Sequence, residues 1–246
     1  MPQFEINNKT ALVTGANRGI GRAFVETLME RGAAKVYAAV RDESTFADLT
    51  AINPKVVVPV LVDVTNAGHI QALAKQITSL DLLVNNAGIV NACFSSADNA
   101  ADIARVEMET NYFGPVQLTL ALLPLLKTGH SAIVNISSIA GISNFPSLGP
   151  YSATKAAVHS FTQGLRAELA NDGILVTGVY PGPTDTRMTE NFETEKAPAR
   201  QIAERTLDGM ARGDTDIFPD SFSEAMYATF LKSPSELEQA FAQMNA

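Results

Sequence analysis

The sequence predicts an α/β fold in one domain, a doubly wound parallel sheet of about seven strands with helices on both faces. Short apolar, β-branched runs alternate along the chain with longer amphipathic stretches, the pattern of strands joined by crossover helices. A glycine-rich turn follows the first such run and leads straight into a helix. With 246 residues, 46% of them hydrophobic and 18% charged, the chain can bury one sizeable core.

The elements follow in order. Residues 9–14 form a short apolar run that stops at Gly15, and 20–31 form a helix turning Ile20, Phe24, Val25 and Leu28 inward. Strands are predicted at 34–40, 56–62, 80–85, 131–137, 174–180 and 215–218. Helices are predicted at 66–79, 99–127 and 151–171, with a short one at 43–51. Residues 183–200 are polar and irregular, with Pro183, Thr184, Asp185, Glu190, Glu193, Glu195 and Pro198; a loop of this length reads either as solvated chain or as a lid. From Ser221 to Ala246 the pattern is two helices broken at Pro234. No repeat or linker divides 1–246.

Chemistry is concentrated in two places. Gly15-Ala16-Asn17-Arg18-Gly19-Ile20-Gly21 sits between a strand and a helix, where free backbone N–H groups and the positive helix end face a pyrophosphate. Its spacing departs from the commonest dinucleotide fingerprint. Tyr151 and Lys155 are one turn apart on a helix, so phenol and ammonium share a face. A nearby positive charge stabilises a phenolate, bringing a group of ordinary pKa about 10 toward working range. Ser138 ends the run 132–138, where a strand opens into a cleft, thirteen residues before Tyr151. Ser137 is the alternative hydroxyl; successive strand residues face opposite ways, so one of the two enters the cleft, and the thirteen-residue spacing to Tyr151 favours Ser138.

Taken together, Thr14-Gly15-x-x-x-Gly19-x-Gly21, Asn85-Asn86-Ala87-Gly88, Asn111, Ser138, Tyr151-x-x-x-Lys155 and Pro181-Gly182 resemble the short-chain dehydrogenase/reductase family over residues 7–187. The resemblance implies a Rossmann-type fold and reversible hydride transfer between a nicotinamide dinucleotide and a carbonyl or alcohol. It implies Tyr151 as acid/base, Lys155 lowering its pKa and binding the nicotinamide ribose, Ser138 orienting the substrate oxygen, and Asn111 holding a water that links Lys155 to solvent. It further implies Asp63 and Val64 at the adenine, Asn86, Ala87 and Gly88 along the adenosine and ribose, and Pro181, Gly182, Thr184 and Thr186 at the nicotinamide. By the same resemblance 1–130 is mainly the dinucleotide-binding half, 131–246 the catalytic and substrate half, and 183–200 a lid over the substrate. Thr184 departs from the aliphatic residue usual at its position.

The second strand bears on the cofactor. Where an NAD-selecting acid would fall stands Val40, followed by Arg41; Arg18 approaches from the glycine loop. Two guanidinium groups suit a 2′-phosphate, so NADP(H) is favoured over NAD(H). Asp42 argues the other way unless it caps the following helix. The substrate lining, by position, is Ile139, Ser143, Asn144, Phe145, Met188 and Phe192 with Ser138 and Tyr151, which suits a small or medium carbonyl compound with an apolar part.

A net charge of −8 without a basic tract argues against nucleic acid. The single Cys93 suits a reducing compartment, and no basic-apolar leader or membrane-length apolar run is seen, so a cytoplasmic protein is expected. No metal site is expected. His69, His130 and His159 read as packing or surface residues. A homo-oligomer, dimer or tetramer, is expected, although the chain lacks the glycine-rich C-terminal strand that many family members use in a tetramer. The alternative function is a non-catalytic NADP(H)-binding redox sensor, which would not need Ser138, Tyr151 and Lys155 together. An epimerising or dehydrating enzyme is a further rival, and 246 residues leave little room for the longer substrate domain such enzymes carry.

Overall fold

The computed structural model describes residues 3–244. Met1, Pro2, Asn245 and Ala246 lie outside them, and with them the start of the N-terminal segment and the end of the predicted last helix. All seven predicted strands form: β1 (Thr10–Thr14), β2 (Lys35–Val40), β3 (Val57–Leu61), β4 (Leu82–Asn85), β5 (Ala132–Ile136), β6 (Leu175–Val179) and, after two short strands described below, β9 (Asp216–Ile217). They make one parallel sheet in the order β3-β2-β1-β4-β5-β6-β9. The chain starts in the middle, winds outward to β3, then returns to place β4 on the other side of β1. That reversal opens a crevice beyond the carboxyl ends of β1 and β4, where a dinucleotide fold binds its ligand.

Alternation along the strands feeds two cores. Ala11 and Val13 of β1 pack with Val36, Val84 and Val134 beneath α1 (Gly19–Glu30) and α7 (Ala199–Arg212). Leu12 packs on the opposite face with Leu83, Ile133 and Val176, under α3 (Ala67–Gln76), α5 (Gly114–Leu126) and α6 (Gly149–Glu168). The short α2 (Phe46–Ile52) buries Leu49 against the first core.

Three predicted elements differ. The continuous helix 99–127 is instead α4 (Ala100–Met108), a π-helical turn (Glu109–Phe113) and α5. Pro115 has no N–H to give the carbonyl four residues back, that of Asn111, so the α-helical ladder is interrupted there. Gly114 donates instead to the Glu109 carbonyl. The stretch 183–200 is less irregular than its composition suggests: β7 (Thr184–Asp185) pairs in parallel with β8 (Ala197–Pro198), and α7 begins at Ala199. Helix α7 itself has no counterpart in the sequence reading, although Ile202, Ala203, Thr206, Leu207 and Met210 form a buried helical stripe and Gly213 ends it at φ +83°.

The C-terminal pair is α8 (Ser221–Lys232) and α9 (Pro234–Gln243), with Ser233 between them capping α9. Leu237 and Phe241 of α9 are fully buried against Ile139 and Phe145, so this pair supports the wall of the cleft.

Candidate active site

The glycine turn is built by close approach. Gly15 and Gly19 take φ +65° and +53°, which a side chain disfavours. A Cβ on Gly21 would lie 2.2 Å from the Gly15 carbonyl oxygen and 2.5 Å from Asn86 Nδ2, so only hydrogen fits. Thr14 at the end of β1 ties this turn to β4: its Oγ1 accepts from the N–H groups of Asn86 and Ala87, each at 3.0 Å, and donates to the Val84 carbonyl. Asn86 Nδ2 donates to the Thr14 carbonyl at 2.8 Å. Helix α1 starts at Gly19 with no side-chain cap and no acid in its first turn, leaving its positive end to face a ligand. The cradle fits a pyrophosphate.

At the end of β2, Arg41 and Asp42 are both exposed and Val40 is buried. Asp42 caps the next turn, accepting from Ser44 N–H at 2.9 Å, and those Ser44 bonds hold its carboxyl below the usual range. Arg41 reaches toward the end of β3. Burial works against the charge on Asp63, but hydrogen bonds from Thr65 and the Arg41 charge outweigh it and lower its pKa. Arg18, in the turn before α1, is exposed.

The three central side chains come together at the carboxyl end of β5. Ser138 lies two residues beyond that strand, capping the turn that follows; its Oγ accepts from Ala140 N–H at 3.1 Å and bonds Tyr151. Ser137 points the other way and donates to the Lys155 carbonyl at 2.9 Å, a structural tie within the same strand end. Tyr151 and Lys155 are almost wholly buried in the first turns of α6, with Lys155 Nζ 5.5 Å from the Tyr151 ring centre. Lys155 Nζ donates to the Ile136 carbonyl at 2.9 Å. Burial lowers the Lys155 pKa to about 8, against an opposing pull from Glu107. Burial also dominates at Tyr151 and raises its pKa, with the Ser138 bond opposing and Glu107 reinforcing the rise. Burial thus outweighs, in this geometry, the lowering of Tyr151 that the sequence suggested.

Asn111 sits in the π-helical turn. Its Oδ1 accepts from Ile89 N–H at 2.8 Å, and its Nδ2 donates to the Ile89 carbonyl at 2.9 Å and to Thr154 Oγ1 at 3.0 Å. It thus clamps the segment after β4 to the helix that carries Tyr151. Gly88 lies between them: a Cβ there would be 3.2 Å from Asn111 Oδ1 and 3.7 Å from Lys155 Nζ.

After β6, Gly182 donates to Asp220 Oδ2 at 2.8 Å, and Thr184 Oγ1 donates to the Gly182 carbonyl at 3.2 Å. Thr186 lies over the glycine turn, its Cγ2 3.0 Å from where a Gly19 Cβ would be. Of the predicted lining, Phe145 and Phe192 gather on Tyr151, with Val90 and Leu148 as residues the sequence did not suggest. Ile139 is buried toward Leu237 and Phe241, Asn144 Nδ2 donates to the Gly149 carbonyl at 3.3 Å, Ser143 is half-buried, and Met188 stays 43% exposed. His159 bonds the Tyr180 hydroxyl at 2.6 Å, on a network with Asp216 and Arg166 away from Tyr151. Missed altogether was a buried amide ladder: Asn85 Nδ2 donates to Thr119 Oγ1 and to Asn135 Oδ1, and Asn135 Nδ2 to Thr162 Oγ1. It locks the ends of β4 and β5 together under the site. No cluster of metal-ligating side chains occurs among the described residues.

Residues 9–197 match the family model described as short chain dehydrogenase. An uncharacterized oxidoreductase of Staphylococcus saprophyticus is 36% identical over 217 residues, covering 82% of this chain and 91% of its own length. A Drosophila melanogaster dehydrogenase/reductase SDR family protein 7-like is 31% identical over 245 residues, covering 95% of this chain and 73% of its own. Among solved structures, a short chain dehydrogenase from Burkholderia cenocepacia in complex with NADP superposes with a TM-score of 0.91 at 35% identity, covering 97% of this chain and 99% of that one. One from Burkholderia phymatum in complex with NAD gives 0.83 at 27%, covering 96% of each. A parallel seven-stranded sheet, the glycine cradle at its switch point and these relatives agree: the chain belongs to the short-chain dehydrogenase/reductase family of oxidoreductases.

Proposed function

We propose that this oxidoreductase interconverts a carbonyl compound and its alcohol with NADP(H), Tyr151 acting as the proton donor and acceptor. The observation that carries this reading is the convergence of Ser138, Tyr151 and Lys155 beside Gly88, next to a glycine cradle open for a pyrophosphate. The bound dinucleotide supplies or takes the hydride. Tyr151, kept as a neutral phenol by burial, gives its proton to the carbonyl oxygen in reduction and takes it back in oxidation. Ser138 orients that oxygen and stabilises its developing charge, and Lys155 supplies a fixed positive charge and donors for ribose hydroxyls. Asn111 holds the floor of the cleft in register with α6.

Arg41 and Arg18 favour a 2′-phosphate, with Val40 offering no acid and Asp42 already serving as a cap. The NADP-bound relative, more similar than the NAD-bound one, supports this preference. The segment 183–200, which brings Phe192 onto Tyr151, is the lid over an apolar substrate, so the pocket suits a small or medium ketone or aldehyde. Exposed Val106, Phe113 and Leu120 along α4 to α5 support a homo-oligomer. The lone, buried Cys93 suits a cytoplasmic setting.

Fluorescence titration with NADPH and with NADH, followed by a panel of carbonyl substrates, tests the reading. Tighter NADPH binding with turnover is expected. Tyr151→Phe should cut turnover by about a hundredfold or more while NADPH binding survives. Retained activity in that variant would remove the acid/base assignment, and binding without turnover on any substrate would favour the sensor.

A further inference from the structure

Glu107 is the one buried carboxyl near Tyr151 and Lys155 to which the mechanism above gives no part. It stands on α4 with no exposed surface. One oxygen, Oε1, accepts from Asn91 N–H at 2.5 Å and from Asn91 Nδ2 at 3.3 Å. The other, Oε2, is buried and has no hydrogen-bond partner. Leaving a carboxylate oxygen so placed costs more than about 1–3 kcal/mol, so its retention asks for a compensating interaction. Glu107 precedes Asn111 by one helical turn, and the two side chains grip neighbouring residues of one segment, Asn91 and Ile89. That segment begins at Gly88, against Lys155 Nζ. Helix α4 packs directly on α6, which carries Tyr151 and Lys155.

The charged surroundings are simple. From α6, Lys155 and Tyr151 are the titratable groups that feel Glu107. From the segment after β4 come only the amides of Asn91 and Ile89. On α4 itself, Arg105 and Asp102 pair with one another at the surface. Burial raises the Glu107 pKa, while the Asn91 bonds and the Lys155 ammonium oppose the rise; as a carboxylate, Glu107 favours the ammonium of Lys155 and disfavours the phenolate of Tyr151.

We propose that Glu107 is a positioning residue of the Tyr151–Lys155 pair. Its bonded oxygen fixes the segment from Gly88 to Asn91 that floors the cleft. As a carboxylate it also places a buried negative charge in α4, against the helix that carries Lys155 and Tyr151. This rests on the reading that Tyr151 and Lys155 carry the chemistry.

The test is a titration that needs neither cofactor nor turnover. Lys155 is followed by the carbon-13 shift of its Cε, assigned through Lys155→Arg, in the wild-type protein and in Glu107→Gln, which keeps the shape and the acceptor oxygen. The Lys155 midpoint is expected to fall by about one pH unit in Glu107→Gln. An unchanged midpoint overturns the proposal. Coupling is reciprocal, so a second measurement follows the Glu107 carboxyl carbon in wild type and in Lys155→Met. Its midpoint should rise when the ammonium is gone; no change, or a Glu107 still protonated when Lys155 titrates in the wild type, overturns the proposal even if Glu107→Gln fails to fold. Where turnover is measurable, the pH profile of kcat/KM should move to lower pH in Glu107→Gln. Wild-type protein without turnover would sink the functional reading alone, because both titrations remain readable.

Discussion

Tyr151, Lys155 and Ser138 illustrate how burial rather than sequence neighbourhood sets the state of a side chain. The i, i+4 spacing puts phenol and ammonium on one face, as the sequence indicates, but both are almost fully buried and each is driven toward its neutral form. For Lys155 the consequence for stability has a definite sign. Its pKa falls from 10.5 to about 8 on folding, so between those values the unfolded chain holds a proton the folded chain has lost. The cost of burying the ammonium is full below pH 8 and is relieved as pH rises toward 10.5. The melting temperature of the wild-type protein should therefore climb relative to Lys155→Met over that window; parallel curves would show that Lys155 is not held in a desolvating site. Arg41 is the opposite case, an exposed guanidinium whose role depends on a ligand. Arg41→Asp should weaken NADPH binding by about ten- to hundredfold while sparing NADH, the loss of one charge-assisted contact, as fluorescence titration would reveal.

At the scale of elements, the site is made where strands end. The β1 turn, the Asn86–Gly88 segment after β4 and the Ser138 end of β5 are neighbours because their strands are neighbours, and Thr14 and the Asn85–Asn135 ladder lock them together. The glycine turn tolerates no added atom at its closest point. Gly21→Ala would drive a methyl into the Gly15 backbone, costing about 1–3 kcal/mol and opening the cradle. A lower melting temperature together with weak binding of both dinucleotides is expected, and unchanged binding would count against the cradle. The motifs at 15–21, 85–88 and 151–155 were legible because each depends on local spacing. The π-helical turn was not read, although Gly114-Pro115 in the middle of a long apolar helix marks it: proline cannot complete the ladder there. Helix α7 was missed because a polar, proline-bearing approach masked a stripe that begins at Ile202.

Across the whole molecule, the C-terminal helices close one wall of the cleft, with Leu237 and Phe241 packed behind Ile139. That packing turns a predicted lining residue inward and leaves Phe145, Phe192 and Val90 on the Tyr151 side. Along α4 to α5, Val106, Phe113 and Leu120 are between 42% and 59% exposed, the surface on which the proposed homo-oligomer would pair. Leu120→Glu would put a charge into such a contact. Sedimentation velocity should report a smaller particle for that variant than for the wild type, with the helical content kept; an identical particle would overturn the pairing of copies through this surface. Among the described residues no helix is long and apolar enough to cross a membrane.

The sequence by itself determined the seven strands of the main sheet, the glycine turn and the pairing of Tyr151 with Lys155. Each of these is written in spacings of a few residues, where backbone geometry alone fixes which side chains share a face. Only the tertiary structure decided that Asp42 caps the next turn, that Ile139 belongs to the core, and that a buried Glu107 holds Asn91 beside the helix that carries Lys155. These outcomes depend on contacts between residues far apart in the chain and on how much water each contact excludes. Neither quantity is carried by the local pattern.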